Sequence, residues 1–206
     1  MTSGSQPDTL DLLDWRRRVA ALYAEVRAEK DPEKAWWGWR RAREELLAGH
    51  RQSPIPAEAR DSVDGAAYYE YDPRYRVTAE IEPAEAERIQ LPGSAGATFG
   101  ATRFARASFS LGDEELALGL YWLDGYAGGL FVSFRDDTSG KETYGAGRYL
   151  LDTVKGADLG GEGAALVLDF NLAYNPSCSY DPRWACPLAP PDNRLAVAVR
   201  AGERYG

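Results

Sequence analysis

At Ala66 the spacing of apolar residues switches from the 3.6-residue period of a helix to short extended runs, and this switch limits the fold class. Upstream, Trp15, Val19, Leu22, Tyr23 and Val26 share one helical stripe, with Arg16, Arg17, Arg18, Glu25 and Arg27 largely opposite. Asp8 or Thr9 can cap that helix, and residues 1–8 read as a disordered tail. Asp31-Pro32-Glu33 restarts helix in the favoured order of N-cap, proline and first-turn acid, and Gly49 is placed to end it. This second helix carries Trp36, Trp37 and Trp39, which serve either to staple the helices to a core or to meet a partner.

Downstream, Ala67–Tyr71 and Tyr75–Ile81 read as a strand pair around an Asp72-Pro73 turn. The Pro- and Glu-rich stretch 82–96 reads as loop. Further strands are expected at 99–103, 106–111, 116–123, 130–135, 149–152, 166–170 and 195–200. The spacing predicts an α+β fold with two N-terminal helices packed on a mainly antiparallel β-barrel-like or sandwich core. Residues 9–50 form the helical segment and 51–206 the β-rich core, together one domain.

A formal charge of −8 argues against a nucleic-acid binder, whose affinity comes from Lys and Arg neutralising phosphates. The opening Met1-Thr2-Ser3-Gly4 lacks a basic region followed by an apolar one, and no apolar run reaches spanning length. The expectation is a cytoplasmic chain with no membrane partner, in which two cysteines are more often thiols than a permanent disulfide.

The densest unusual run is Asp169 to Asn193, where Phe170, Tyr174, Tyr180 and Trp184 interleave with carboxamides, prolines and both cysteines. Asn171, Asn175 and Asn193 each bring donors and acceptors, so if buried they need backbone, water or ligand partners. Before it, Tyr144-Gly145-Ala146-Gly147-Arg148-Tyr149 brings backbone amides and a guanidinium that can clamp an anion, or a turn whose Arg148 pairs with an acid such as Asp169. Asp169 either accepts a proton at the mouth of a core strand or caps the next turn. His50, the single histidine, is either a helix-end imidazole or a base or ligand beside the thiols. For Cys178 and Cys186, packed thiols, a disulfide, half a metal site and a reactive thiolate all stand as readings. Metal is disfavoured, because structural zinc takes four Cys or His ligands and the chain holds three in all.

Several of these stretches resemble a bacterial family known as a domain of unknown function, DUF1684. The resemblance rests on 136–145, Gly147-Arg148-Tyr149, 169–178, Cys186-Pro187, Asn193-Arg194-Leu195 and Ala201-Gly202-Glu203. His50 with Ser53-Pro54 is similar to its upstream signature, and the likeness runs over roughly residues 15–204. It implies that His50, Arg148, Asn171, Asn175, Cys178 and Cys186 sit at matching positions of a shared pattern, and it implies no activity or cofactor.

The expected function is binding of a small polar or anionic molecule between the Gly-Arg turn and the Asn/Cys loop. Arg148 serves as clamp, Asn171 and Asn175 as hydrogen-bonding groups, and Tyr144 and Tyr174 as walls. If the molecule is transformed, Cys178, Cys186, His50 and Asp169 are the candidate catalytic residues. Two alternatives are a non-enzymatic interaction module using the Trp-rich helices and, by analogy of fold alone, an FMN-binding split barrel.

Overall fold

The computed structural model describes residues 6–62, 66–126 and 128–205. Of the tail expected over residues 1–8, positions 1–5 lie outside the described residues, and helix α1 (Gln6–Ala28) already includes the rest. Helix α2 (Pro32–Gly49) starts where the sequence places it. The Asp31 carboxylate accepts from the backbone N–H groups of Glu33 and Lys34 at 3.1 and 3.2 Å, a cap typically worth about 1 kcal/mol. The helices pack on each other, and Leu22, Tyr23, Val26, Trp36 and Trp39 join the same apolar cluster as the sheet. Trp36 is anchored further by its indole N–H, which donates to the Asn171 carbonyl at 3.1 Å, while Trp37 stays 51% exposed.

The sheet is antiparallel and runs β6-β5-β4-β3-β2-β7, with β2 (Arg76–Pro92), β3 (Thr98–Leu111), β4 (Glu114–Leu123), β5 (Gly129–Phe134), β6 (Arg148–Asp152) and β7 (Ala165–Asp169). The edge strands β6 and β7 come back into contact, so the sheet curls into a half-barrel under the helices. Two short strands, β1 (Ala67–Tyr68) and β8 (Glu203–Arg204), pair separately and bring the C-terminal segment back to the start of the β region. Among the described residues no helix is long and apolar enough to cross a membrane.

Four local expectations fail, each for a tertiary reason. The stretches 67–71 and 75–81 are not a strand pair: β1 pairs with β8, and β2 lies between β3 and β7 in the other sheet. Residues 82–92 are strand, because β2 continues past a bulge between Pro83 and Glu87, and Ile81, Ile89 and Leu91 keep the inward face while the glutamates stay wet. Phe99–Arg103 and Arg106–Leu111 are one strand, interrupted only by a bulge between Arg103 and Ala105. Residues 195–200 are not a strand: backbone pairing with 135–137 stops after the bonds of Leu195 and Val197, and at Val199 the N–H donates to the Asp136 carboxylate at 2.7 Å and the carbonyl accepts from Arg148 at 2.9 Å.

Candidate functional site

The sequence-derived site residues divide between two places. The first is a latch that holds the C-terminal segment. Gly147, with φ +99, turns the chain into β6; a Cβ there would lie 2.5 Å from the Phe134 carbonyl oxygen, so the close approach requires glycine. Arg148 follows and is 1% exposed. Its guanidinium donates to the carbonyls of Val199 (2.9 Å), Ala201 and Glu203 (3.1 Å), and lies 3.6 Å from the Asp136 carboxylate. Burial pulls its pKa below the usual guanidinium value, and Asp136 works against that shift. Asp136 also accepts from the Thr138 hydroxyl at 2.8 Å and the Ser139 hydroxyl at 3.0 Å. Arg148 is therefore committed to its own backbone, with Asp136 as the paired acid in place of Asp169.

Glu203 extends the latch to the helices. Fully buried, it accepts from the Asn175 N–H (2.6 Å), the hydroxyls of Tyr180 (3.0 Å) and Tyr68 (3.4 Å), and Arg43 of α2. Asn193 acts as a surrogate peptide: its oxygen accepts from Gly119 N–H at 2.7 Å and its amide donates to the Gly119 and Ser133 carbonyls at 3.1 and 2.8 Å, joining β4 to β5.

Asn171, Asp169 and His50 also serve structure. Asn171 exchanges hydrogen bonds with both backbone groups of Asp72, at 3.0 and 2.9 Å. Asp169 caps the following turn through Asn171 N–H at 3.0 Å and pairs with Arg76 at 2.9 Å; burial raises its carboxyl pKa despite those partners. His50 Nδ1 accepts from Gln52 N–H at 3.0 Å, which leaves Nε2 to donate to Asp14 at 3.1 Å, and its ring meets Trp15 edge-on. It ties α1 to the end of α2.

The second place is a cavity of about 170 Å³ between the two helices and the loop from Tyr174 to Cys186. Its walls are apolar and aromatic: Trp15, Leu22 and Trp39 from the helices face Tyr149, Tyr174 and Pro176. The Tyr149 and Tyr174 rings pack edge-on at 5.6 Å, and Arg43 covers the Tyr174 ring at 4.6 Å. Three cations reach the lining. Arg43 is matched by Glu203 and Lys155 by Asp152 at 2.9 Å, whereas Arg16 is exposed and presses against the charge of Lys155. Burial works against the ammonium of Lys155, Asp152 more than offsets it, and the net pKa lies above the ordinary lysine value.

What sets this cavity apart is that its lining holds three of the five buried polar side-chain atoms without partners among the described residues, the other two being the Ser133 hydroxyl and Arg135 Nε. Asn175 is 9% exposed with its N–H fixed on Glu203, yet its side-chain oxygen is buried with no hydrogen-bond partner among the described residues. The same holds for the Trp184 indole N–H. The Tyr23 hydroxyl likewise finds no partner in hydrogen-bond geometry, although the Trp39 indole lies beside it. All three residues line the one cavity. Buried polar groups in native structures are nearly always satisfied, so three such atoms around one void leave hydrogen bonds for water or another molecule to supply.

Beside the cavity the cysteines are free thiols. Cys186 is buried and lines the wall, and Cys178 is partly exposed, its sulfur 3.7 Å from the Tyr144 hydroxyl. Ser94, in the turn between β2 and β3, pins the loop: its hydroxyl accepts from Cys186 N–H and donates to the Trp184 carbonyl, both at 2.9 Å. The Cys186 thiol, assisted by Ser94 and Tyr144, holds the Cys178 pKa down at about 6, and the same contact with Cys178 raises that of Cys186. Desolvation, with Cys178 adding to it, lifts Tyr144 to about 12. No group of three or more His, Cys, Asp or Glu among the described residues could hold a metal.

The structure thus gathers Tyr144, Tyr174, Asn175, Cys178 and Cys186 at or beside the cavity and leaves Arg148, Asn171, Asp169 and His50 in supporting roles. The sequence reading missed Tyr23, Lys155 and the Trp184 indole as polar lining. Trp184 lies within the aromatic loop already singled out, but no local pattern marks the other two.

Residues 61–204 match the family described as Protein of unknown function (DUF1684). A solved structure, the solution NMR structure of an uncharacterized protein from Haloarcula marismortui, matches with 38% identity and a TM-score of 0.61, over 84% of this chain and 94% of that one. That relative is archaeal, so the bacterial label of the sequence reading finds no support in it. No curated protein matches. The chain belongs to the DUF1684 family.

Proposed function

We propose that this DUF1684 protein binds a small monocarboxylate with a single ring or comparably compact apolar body in the cavity between the helix pair and the Tyr174–Cys186 loop. The supporting observation is the trio of unpartnered atoms, Asn175 Oδ1, Trp184 Nε1 and the Tyr23 hydroxyl, around an otherwise apolar void. The volume of about 170 Å³ is on the order of the ~150 Å³ cavities that accept one benzene ring, and is too small for a flavin with its phosphate tail. The trio calls for a molecule carrying both an acceptor and a donor. Of the cations at the lining, Arg43 and Lys155 are matched by acids and Arg16 makes no ion pair among the described residues, which favours a negative end on the ligand. Compared with the expectation from sequence, the anion clamp moves from Arg148 to the Arg16/Lys155 side.

Para-hydroxybenzoate has the ring, the carboxylate and the extra hydroxyl, and serves as probe. Calorimetry is expected to give saturable binding, weakened at least about tenfold, or about 1.4 kcal/mol, in Asn175→Leu. Equal binding by both proteins would contradict the assignment.

A further inference from the structure

The thiols beside the cavity carry a second assignment, independent of what the cavity holds. Their surroundings differ in a way that sorts roles. Cys178 is the more exposed of the two residues, and its sulfur is met by the Tyr144 hydroxyl at 3.7 Å, by Ser94 and by the Cys186 thiol. Cys186 is 5% exposed and reaches solvent poorly, but lies against Cys178. The segment between them holds no strand, only the turn at Ser177–Ser179 and one closed by the Trp184 backbone N–H on the Asp181 carbonyl at 3.2 Å, so a cross-link breaks no ladder within it, while Ser94 holds the Cys186 end in place.

We propose that Cys178 and Cys186 form a thiol–disulfide exchange pair that reacts with low-molecular-weight disulfides, Cys178 attacking and Cys186 resolving. In the first step the Cys178 thiolate attacks one sulfur of the small disulfide; the sulfur–sulfur bond breaks, and the departing thiolate takes a proton from solvent. The product is a mixed disulfide on Cys178. In the second step Cys186 gives up its proton, attacks the Cys178 sulfur and expels the second small thiolate, which is protonated in turn. Two protein thiols are oxidised to one disulfide, and one small disulfide is reduced to two thiols.

The division of labour follows from exchange chemistry, in which the accessible, more ionised sulfur attacks first. The depressed pKa of Cys178, about 6, supports that order because its thiolate predominates at neutral pH. Cys186 and Trp184 both line the cavity, so closing the bond also changes the loop that forms one of its walls.

The test treats the reduced full-length protein with oxidised glutathione, quenches with iodoacetamide and maps the peptides by mass spectrometry. The expected wild-type product is two hydrogens lighter, unalkylated, with the peptides of Cys178 and Cys186 joined. Cys186→Ser is expected to stop at a glutathione adduct on Cys178, and Cys178→Ser to react about tenfold more slowly or less. A wild-type protein that ends as a stable mixed disulfide, or keeps both thiols free under the same treatment, overturns the proposal. So does equal reactivity of the two single variants. The wild-type result stands without either variant, and it reads thiol chemistry whether or not para-hydroxybenzoate binds.

Discussion

The latch and the cavity are built from neighbouring stretches of one chain, yet they treat buried polarity in opposite ways. Arg148 and Asn193 have their buried polar atoms answered: Arg148 meets three carbonyls and a carboxylate, and Asn193 meets three backbone groups, although the neighbouring Ser133 hydroxyl and Arg135 Nε have no partner among the described residues. Around Asn175, Trp184 and Tyr23, side-chain atoms equally removed from water are left without partners. A saturated network fixes one conformation, whereas an unsaturated one costs stability until something supplies the missing hydrogen bonds. Burial and polarity alone therefore do not separate the two regions; the gathering of three unpartnered atoms on one void does.

The largest effect should come from the latch. Arg148→Met strands the buried Asp136 carboxylate and three carbonyls, and is expected to cost about 3–5 kcal/mol in urea unfolding, or a drop of about 6–20 °C in Tm for a chain of this size. A loss below about 1 kcal/mol would erase the distinction between the two regions. Asn193→Ala should follow, at about 2–4 kcal/mol, because it orphans Gly119 and Ser133 backbone groups that no side chain replaces. In the cavity the sign should reverse. Tyr23→Phe removes a buried hydroxyl without an acceptor and is expected to leave stability unchanged or raise it by up to about 1 kcal/mol; a clear loss would show that the hydroxyl is already satisfied. The smallest effect is kinetic: iodoacetamide labelling of Cys178 should rise with pH around a midpoint near 6, as the thiolate forms, and a midpoint at the ordinary thiol value would contradict the contact with Cys186.

Much of the scaffold is legible in the sequence because its causes are local. Asp31-Pro32-Glu33 caps α2, the helix closes at Gly49 with His50 in the cap position, and the change of period at Ala66 separates helices from sheet. What misleads is nonlocal. The glutamates of 82–92 obscure an inward face formed by Ile81, Ile89 and Leu91, and the apolar run 195–200 looks like a strand until Arg148 and Asp136 take its backbone groups. Around the cavity, the aromatic carboxamide loop stands out in the sequence and lines part of the wall, whereas Arg148 looks like a ligand clamp because its sequence neighbours do not show that its guanidinium meets residues 199–203. Tyr23 reads only as one more member of the apolar stripe of α1 and Lys155 carries no pattern of its own; tertiary packing brings both to the cavity.

The most direct test of the contrast is an NMR titration of nitrogen-labelled protein with para-hydroxybenzoate, following the tryptophan indole N–H signals assigned by single Trp→Phe variants. The Trp184 signal should move downfield and saturate as its orphaned N–H gains an acceptor, while that of Trp122, exposed on β4 and outside the cavity lining, stays in place. A stationary Trp184 signal, or equal shifts at Trp184 and Trp122, would show that the void between the helices and the loop is packing space and not a binding site.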